Sequence, residues 1–364
     1  MVDLFIVAGE MSGDLHGSKL IEQLLEIKPD LKIGAVAGPK MRKLCIEEFF
    51  PMENLAVMGF IDVFFALPKI FKQFFAIRKK ILDLRPKAVI LIDYPGFNLR
   101  LERSLRKKGY KGKLIHYICP TVWAWGKKRI PLMAKHLDLL LTIFPFEKSC
   151  FAKTSLNVKY VGHPLTLPVE QFEPTHKYPG KILALFPGSR KTEIERNLPL
   201  QLKAARRLKE LDPTLQIAIS ITQFPIDEPD VILVPAEDHY ELMKTAHMAI
   251  ATSGTVTLEL ALHGTPTVVN FAIKPLDCFL AQKIFRIHLP FYCISNLVVN
   301  QLVFPELFGP NLTEEQLFFW AHKLWTDEEA RNSCLLGCLE VRKSLGVKRA
   351  SKEAANCVLS TIAF

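Results

Sequence analysis

Two patterns of apolar residues alternate along the chain. Short, nearly unbroken apolar runs end in glycine, proline or acidic turns, and longer stretches with apolar positions three and four apart follow them. In the first half the runs Asp3–Ala8, Lys32–Ala37, Lys87–Ile92, Lys113–Cys119, Leu137–Phe144 and Lys159–Val161 read as strands. In the second half Lys181–Phe186, Leu215–Ile221, Val231–Val234, Met248–Ala251 and Thr267–Asn270 do the same. Runs that are apolar on both faces suit a parallel sheet covered by helices on each side. Helices are expected after Asp14 through Ile27, over Leu99–Lys108, from Ile194 to Leu211, and over Glu237–Thr245, Val256–His263 and Leu276–Arg286. Three more close the chain at 313–325, 327–345 and 348–362. This is an α/β pattern, and each half reads as a Rossmann-like, doubly wound domain.

The stretch from Pro164 to Pro179 is rich in proline and polar residues and has no periodicity, which marks a domain boundary. The expected division is 1–164, then 165–346, with 347–364 a helix that packs back on the first domain. A length of 364 residues gives each domain its own core. Hydrophobic residues make up 49% and mean hydropathy is +0.17, yet no membrane-length apolar run occurs. The N-terminus lacks the features of a signal peptide, so a cytoplasmic protein is expected. Lys and Arg total 47 against 37 acidic residues, a net charge of +10. That balance suits anionic substrates or an anionic membrane surface. The eight cysteines are scattered; Cys334 and Cys338 are one turn apart, but nothing completes a zinc site.

Candidate chemistry sits where strands end. The first strand runs into Gly9-Glu10-Met11-Ser12-Gly13-Asp14. Its glycines, with Gly17, are spaced by four, so the dinucleotide fingerprint is missing, and no phosphate-binding P-loop occurs anywhere. The loop can cradle an anion or sugar, or form a tight turn with Asp14 as helix cap. Asp93 ends another strand, placed to serve as general base, with Asn98 to orient it; a turn role competes. In the second half Gly188-Ser189-Arg190 and Ser253-Gly254-Thr255 each join a strand to a helix. Such a start favours phosphate, and Arg190 adds a bidentate cation. Glu259, a turn further on, can accept from ribose hydroxyls; Ser253 and Thr255 can equally act as simple caps. Residues 57–84 crowd Phe60, Phe64, Phe71, Phe74 and Phe75 among Lys72, Arg78 and other cations, with Pro68 expected to split them into two helices. This describes an interfacial helix or acyl groove, or a core helix with a solvated basic rim.

The motifs AGEMSGD (Ala8–Asp14), VMGFIDV (Val57–Val63), IDYPGFN (Ile92–Asn98), PTVWAW (Pro120–Trp125), FPFEK (Phe144–Lys148), VGHP (Val161–Pro164), FPGSR (Phe186–Arg190) and SNL (Ser295–Leu297) occur in this order. Together they resemble the lipid-A-disaccharide synthase family, within the GT-B glycosyltransferases, whose two domains face a cleft. The resemblance implies a peripheral enzyme on the inner face of the cytoplasmic membrane. It would transfer 2,3-diacylglucosamine from UDP to 2,3-diacylglucosamine 1-phosphate, giving a β(1→6) disaccharide and UDP. It implies that Gly188, Ser189, Arg190, Ser253, Gly254, Thr255, Glu259 and Asn296 hold the UDP-sugar. Gly9, Glu10, Ser12, Gly13, Asp14 and Asn98 would hold the acceptor, with Asp93 as base. No DxD motif is present, and neither metal nor cofactor is expected; nor is a nucleic-acid partner, while a homo-oligomer is left open. The competing readings are another GT-B enzyme, such as a UDP-N-acetylglucosamine epimerase or a lipid-linked sugar transferase, and a non-catalytic lipid-binding protein.

Overall fold

The computed structural model describes residues 2–44, 46–55, 60–124, 126–221, 224–273 and 289–362, with backbone alone over 60–67. The helix expected over Leu276–Arg286 lies outside these residues. The chain forms two compact units, Met1–Pro164 with Lys348–Phe364, and Leu165–Val347.

The first unit is built on seven parallel strands: β1 (Leu4–Ala8), β2 (Ile33–Ala37), β3 (Glu47–Pro51), β4 (Ala88–Ile92), β5 (Lys113–Tyr117), β6 (Leu139–Thr142) and β7 (Asn157–Tyr160). Their order is β3-β2-β1-β4-β5-β6-β7, so chain direction across the sheet reverses between β1 and β4. Every residue of β1 and β4 is buried, as runs covered on both faces require. On one face Leu4, Ile6, Ile90 and Ile92 pack with Leu20, Ile21 and Leu24 of helix α1 (Met11–Ile27). The same cluster takes Ala354, Ala355 and Val358 from the last helix, Ala350–Ile362. On the other face Phe5, Val89 and Leu91 meet Ile77 and Ile81 of α2 (Phe60–Leu84) and Leu101 and Leu105 of α3 (Pro95–Lys107).

The second unit repeats the plan with six parallel strands: β8 (Lys181–Phe186), β9 (Leu215–Ser220), β10 (Ile232–Val234), β11 (Met248–Thr252), β12 (Thr267–Phe271) and β13 (Glu306–Phe308). The order β10-β9-β8-β11-β12-β13 reverses between β8 and β11.

Two expectations are corrected, and two strands join those expected. Pro68 lies inside one continuous helix, α2, rather than between two; a proline removes only its own N–H from the ladder, and packing downstream holds the rest. Helix α1 begins at Met11, so Ser12, Gly13 and Asp14 belong to its first turn and not to a loop. Two edge strands, β3 and β13, carry no apolar run to announce them: Glu47 and Glu48 of β3 are exposed. Among the described residues no helix is long and apolar enough to cross a membrane.

Candidate active site

In each unit the two strands that flank the reversal end side by side, and the crevice beyond such ends is where open α/β sheets bind ligands. In the first unit this brings together Glu10, after β1, and Asp93, after β4. Both Asp93 and Tyr94 have left-handed backbone, with φ of 44° and 46°. Each such residue costs on the order of 1–3 kcal/mol and persists only where its surroundings insist on it. The surroundings do: the Asp93 N–H donates to the Tyr117 carbonyl at 2.9 Å, and Asn98 Nδ2 donates to the carbonyls of Ile92 and Asp93 at 3.1 and 2.7 Å. The Tyr94 hydroxyl donates to the Leu55 carbonyl at 2.9 Å, and its ring lies where any Cβ on Gly9 would collide with it. Burial and then the charge of Glu10 raise the Asp93 carboxyl above its ordinary value, while His116 and the Tyr94 N–H oppose them. A half-buried carboxyl biased toward holding a proton is what a general base needs.

The remaining residues of the first loop divide. Glu10 Oε1 accepts from the Ser12 hydroxyl at 2.7 Å, and both are accessible. Gly13 packs on Ala8. The capping role expected of Asp14 is corrected. Asp14 is fully buried and does not cap α1; its carboxylate accepts from the backbone N–H groups of Gly38, Lys40 and Met41 at 2.8–3.1 Å. It fixes the turn after β2. Asn98, also fully buried, holds the Asp93 backbone through its Nδ2.

In the second unit a cavity of about 260 Å³ opens between the ends of β8 and β11. Gly188, Ser189, Ser253, Gly254, Thr255 and Glu259 line it, together with Glu193, Ser220, His239 and Met243. The helix Thr255–His263 starts here with no side-chain cap; Gly254 is the N-cap residue. The expected capping by Ser253 and Thr255 does not occur, so the first N–H groups of this helix lack a side-chain acceptor and suit an anion. Glu259, one turn in, is pushed up to about 7 by burial, with the Tyr240 hydroxyl at 3.4 Å opposing. At neutral pH it can both donate to and accept from a hydroxylated ligand.

Two expected contacts are absent from this cavity. Arg190 is the N-cap of the helix Lys191–Leu211, its side chain 79% exposed, with Nη1 donating to Glu193 at 2.9 Å. Glu193 also accepts the N–H groups of Ser189 and Arg190 at 3.2 and 3.3 Å, so a carboxylate fills the cradle expected for phosphate. Asn296 is fully buried and spent: it donates to the Phe304 carbonyl at 2.9 Å and accepts from Val303 and Phe304 at 2.9 Å. It staples helix Ile294–Val299 to the segment before β13. Sequence reasoning overlooked Glu193, although it stands three residues past the N-cap, where glutamates often take backbone N–H groups.

Along α2, Phe74 turns inward, edge-on to Phe97 at 5.5 Å, with Ile70, Ile77 and Ile81 on the same side. Phe71 and Phe75 are 56% and 50% exposed, and Lys72 is exposed. Arg78 is not part of a free rim: it donates to Ser104 at 3.0 Å. The side chains of Phe60 and Phe64, and Trp125, lie outside the described residues.

Solved structures place this fold among known ones. The UDP-GlcNAc 2-epimerase of Neisseria meningitidis, bound to UDP-GlcNAc, superposes with a TM-score of 0.64 at 12% identity, over 98% of this chain and 99% of that one. The calicheamicin glycosyltransferase CalG4 does so at 0.59 and 14%, over 100% and 98%. The fold is that of the GT-B class. The chain is similar to the lipid-A-disaccharide synthase of Chlamydia pneumoniae, 39% identical over 84% of this chain; it spans only 53% of that relative's length. Its likeness to the synthase of Geobacter sulfurreducens, at 31% identity, covers 99% of this chain and 97% of the relative. A family model described as lipid-A-disaccharide synthetase matches residues 4–359, both switch-point sites included, and the chain therefore belongs to the lipid-A-disaccharide synthase family.

Proposed function

We propose that this chain is an inverting glycosyltransferase that moves 2,3-diacylglucosamine from UDP to 2,3-diacylglucosamine 1-phosphate, forming a β(1→6) bond. The observation that carries the reading is Asp93: a half-buried carboxyl at the strand reversal of the first unit, in a strained backbone held from three sides. In this role it removes the proton of the acceptor 6-hydroxyl as that oxygen attacks the anomeric carbon. Glu10 and Ser12, beside it, bind acceptor hydroxyls.

The second unit holds the donor. The bare N-terminus of the helix Thr255–His263 faces the diphosphate, and Glu259 takes the ribose. Charge builds on UDP as the glycosidic bond breaks, and a dipole already aimed there stabilises it without reorganisation. Arg190 joins once the diphosphate displaces Glu193 from the Ser189 and Arg190 N–H groups. Exposed Phe71 and Phe75, with Lys72 between them on α2, would dock on the anionic inner face of the cytoplasmic membrane, where diacylated substrates reside.

The deciding experiment incubates purified protein with both diacyl substrates and follows UDP and disaccharide. Formation of both only when the acceptor is present supports the reading. UDP release or epimerised UDP-sugar without acceptor favours an epimerase, which shares this fold. Saturable lipid binding with no UDP binding points instead to a lipid-binding protein.

A further inference from the structure

A string of buried amides runs beneath the second unit's cavity, and the roles above leave it unused. Asn197 and Gln201 on the helix Lys191–Leu211 and Asn270 on β12 are each 0% exposed. Gln201 Nε2 donates to Asn270 Oδ1 at 2.8 Å, Asn270 Nδ2 to Asn197 Oδ1 at 2.9 Å, and Asn197 Nδ2 to the Glu193 carbonyl at 2.8 Å. The Ala272 N–H also donates to Asn197 Oδ1, at 2.9 Å. Buried amides are costly unless hydrogen-bonded, and apolar side chains of the same size would fill the space without that demand. Gln201 does not meet the demand in full: its Oε1 has no partner among the described residues. Packing alone does not account for the string.

Its contacts lead to the two turns that open on the cavity, residues 187–189 after β8 and 253–254 after β11. At one end stands Glu193, whose carboxylate takes the N–H groups of Ser189 and Arg190. At the other, the Asn270 carbonyl accepts the Ser253 N–H at 3.0 Å. Between them Gln201 Nε2 lies 3.4 Å from the Phe186 carbonyl and 3.5 Å from Thr252 Oγ1, and both residues line the cavity. The ladder that pairs β8 with β11 stops at Phe186 and Ala251. The amides carry the connection past it, into the turns.

We propose that Asn270 is a positioning residue: through Asn197 and Gln201 it holds the two turns at a fixed spacing, so that a diphosphate meets both at once. The inference rests on the second unit's holding the UDP-sugar. Fully buried, Asn270 touches no ligand itself. A monophosphate reaches one turn and gains nothing from their spacing. Without the string each turn keeps its own N–H groups and loses only its alignment with the other, which is the part that pre-organisation adds to binding.

The test is calorimetric titration of the parent, Asn270→Ala and Asn197→Ala with UDP and with UMP. The two nucleotides share the nucleoside, so the ratio of their affinities isolates the second phosphoryl group. The parent should prefer UDP, and both variants should lower that preference by about tenfold, with UMP binding near the parent's. A purely structural string would lower the melting temperature and leave the ratio unchanged in the folded protein, and that result overturns the proposal. NMR of the parent, which needs no variant to fold, should show the side-chain amide signals of Asn270 and Gln201 shifting when UDP saturates and staying in place with UMP. Signals unmoved by bound UDP overturn it, as does a parent that binds UMP as tightly as UDP. A parent that binds no UDP removes the reading of the second unit and this inference with it. UDP bound by all three proteins with one preference removes the role of Asn270 alone.

Discussion

Glu193 and Arg190 hold each other across one turn at the mouth of the second unit's cavity. One carboxylate oxygen grips the guanidinium at 2.9 Å, and the other takes the N–H groups of Ser189 and Arg190. A Cβ on Gly188 would come within 2.7 Å of the Glu193 side chain, so the turn is closed over by its own helix. An anion entering here meets a resident carboxylate.

The two residues should therefore respond with opposite signs. Arg190→Ala should weaken UDP binding by about 1.5–3 kcal/mol, the usual loss of a charged hydrogen bond, with the fold retained. Glu193→Gln weakens the resident's hold on the guanidinium and should tighten UDP, at a cost of about 1 kcal/mol in stability from the poorer cap. Calorimetric titration reads both. Loss of affinity in Glu193→Gln would mean that the carboxylate supports the ligand and does not compete with it.

Asp93→Asn keeps shape and hydrogen-bonding capacity, so folding should survive. Turnover should fall by about 10²–10⁴-fold, the usual cost of a general base. UDP affinity, which the proposed function assigns to the second unit, should stay near the parent's. Near-normal turnover would shift the role of base to Glu10.

The phenylalanines of α2 should separate by direction. Phe71→Ser with Phe75→Ser should release protein from anionic vesicles and leave the melting temperature close to the parent's, since both rings are exposed. Phe74→Ser should cost about 3 kcal/mol, because its ring packs on Phe97 in the core. Added salt should loosen the Lys72 contribution and leave the aromatic part. Vesicle binding unchanged in the double variant would assign these rings another task.

Glu259 supplies a pH signature. Its folded value, about 7, lies above the ordinary 4.5, so the native state holds a proton that the unfolded chain has released. Stability should fall as pH rises from about 4.5 through about 7, and this loss should vanish in Glu259→Gln. Denaturant titrations of both proteins at pH 4.5 and 8 measure it. Parallel stability curves would show that Glu259 titrates normally.

Much of this was legible in the sequence. Buried strands such as Lys181–Phe186 are continuous apolar runs, and their ends mark both candidate sites. The sequence reading failed where tertiary partners decide. Asp14 looks like a local cap, yet its partners are 24 to 27 residues away, after β2. The partners of Asn296, around Phe304, are likewise set by packing and not by its local motif. Phe71, Phe74 and Phe75 share a helix, and only contact with Phe97 distinguishes the inward ring.

The return of the last helix to the first unit has a consequence in time. A ribosome releases residues 165–347 as one continuous unit, able to fold as it emerges. The first unit, begun earlier, waits with Leu20, Ile21 and Leu24 of α1 uncovered until Ala354, Ala355 and Val358 arrive. The half made first is thus finished last. Throughout synthesis of its neighbour it carries an open apolar face, where chaperones or stray contacts would act.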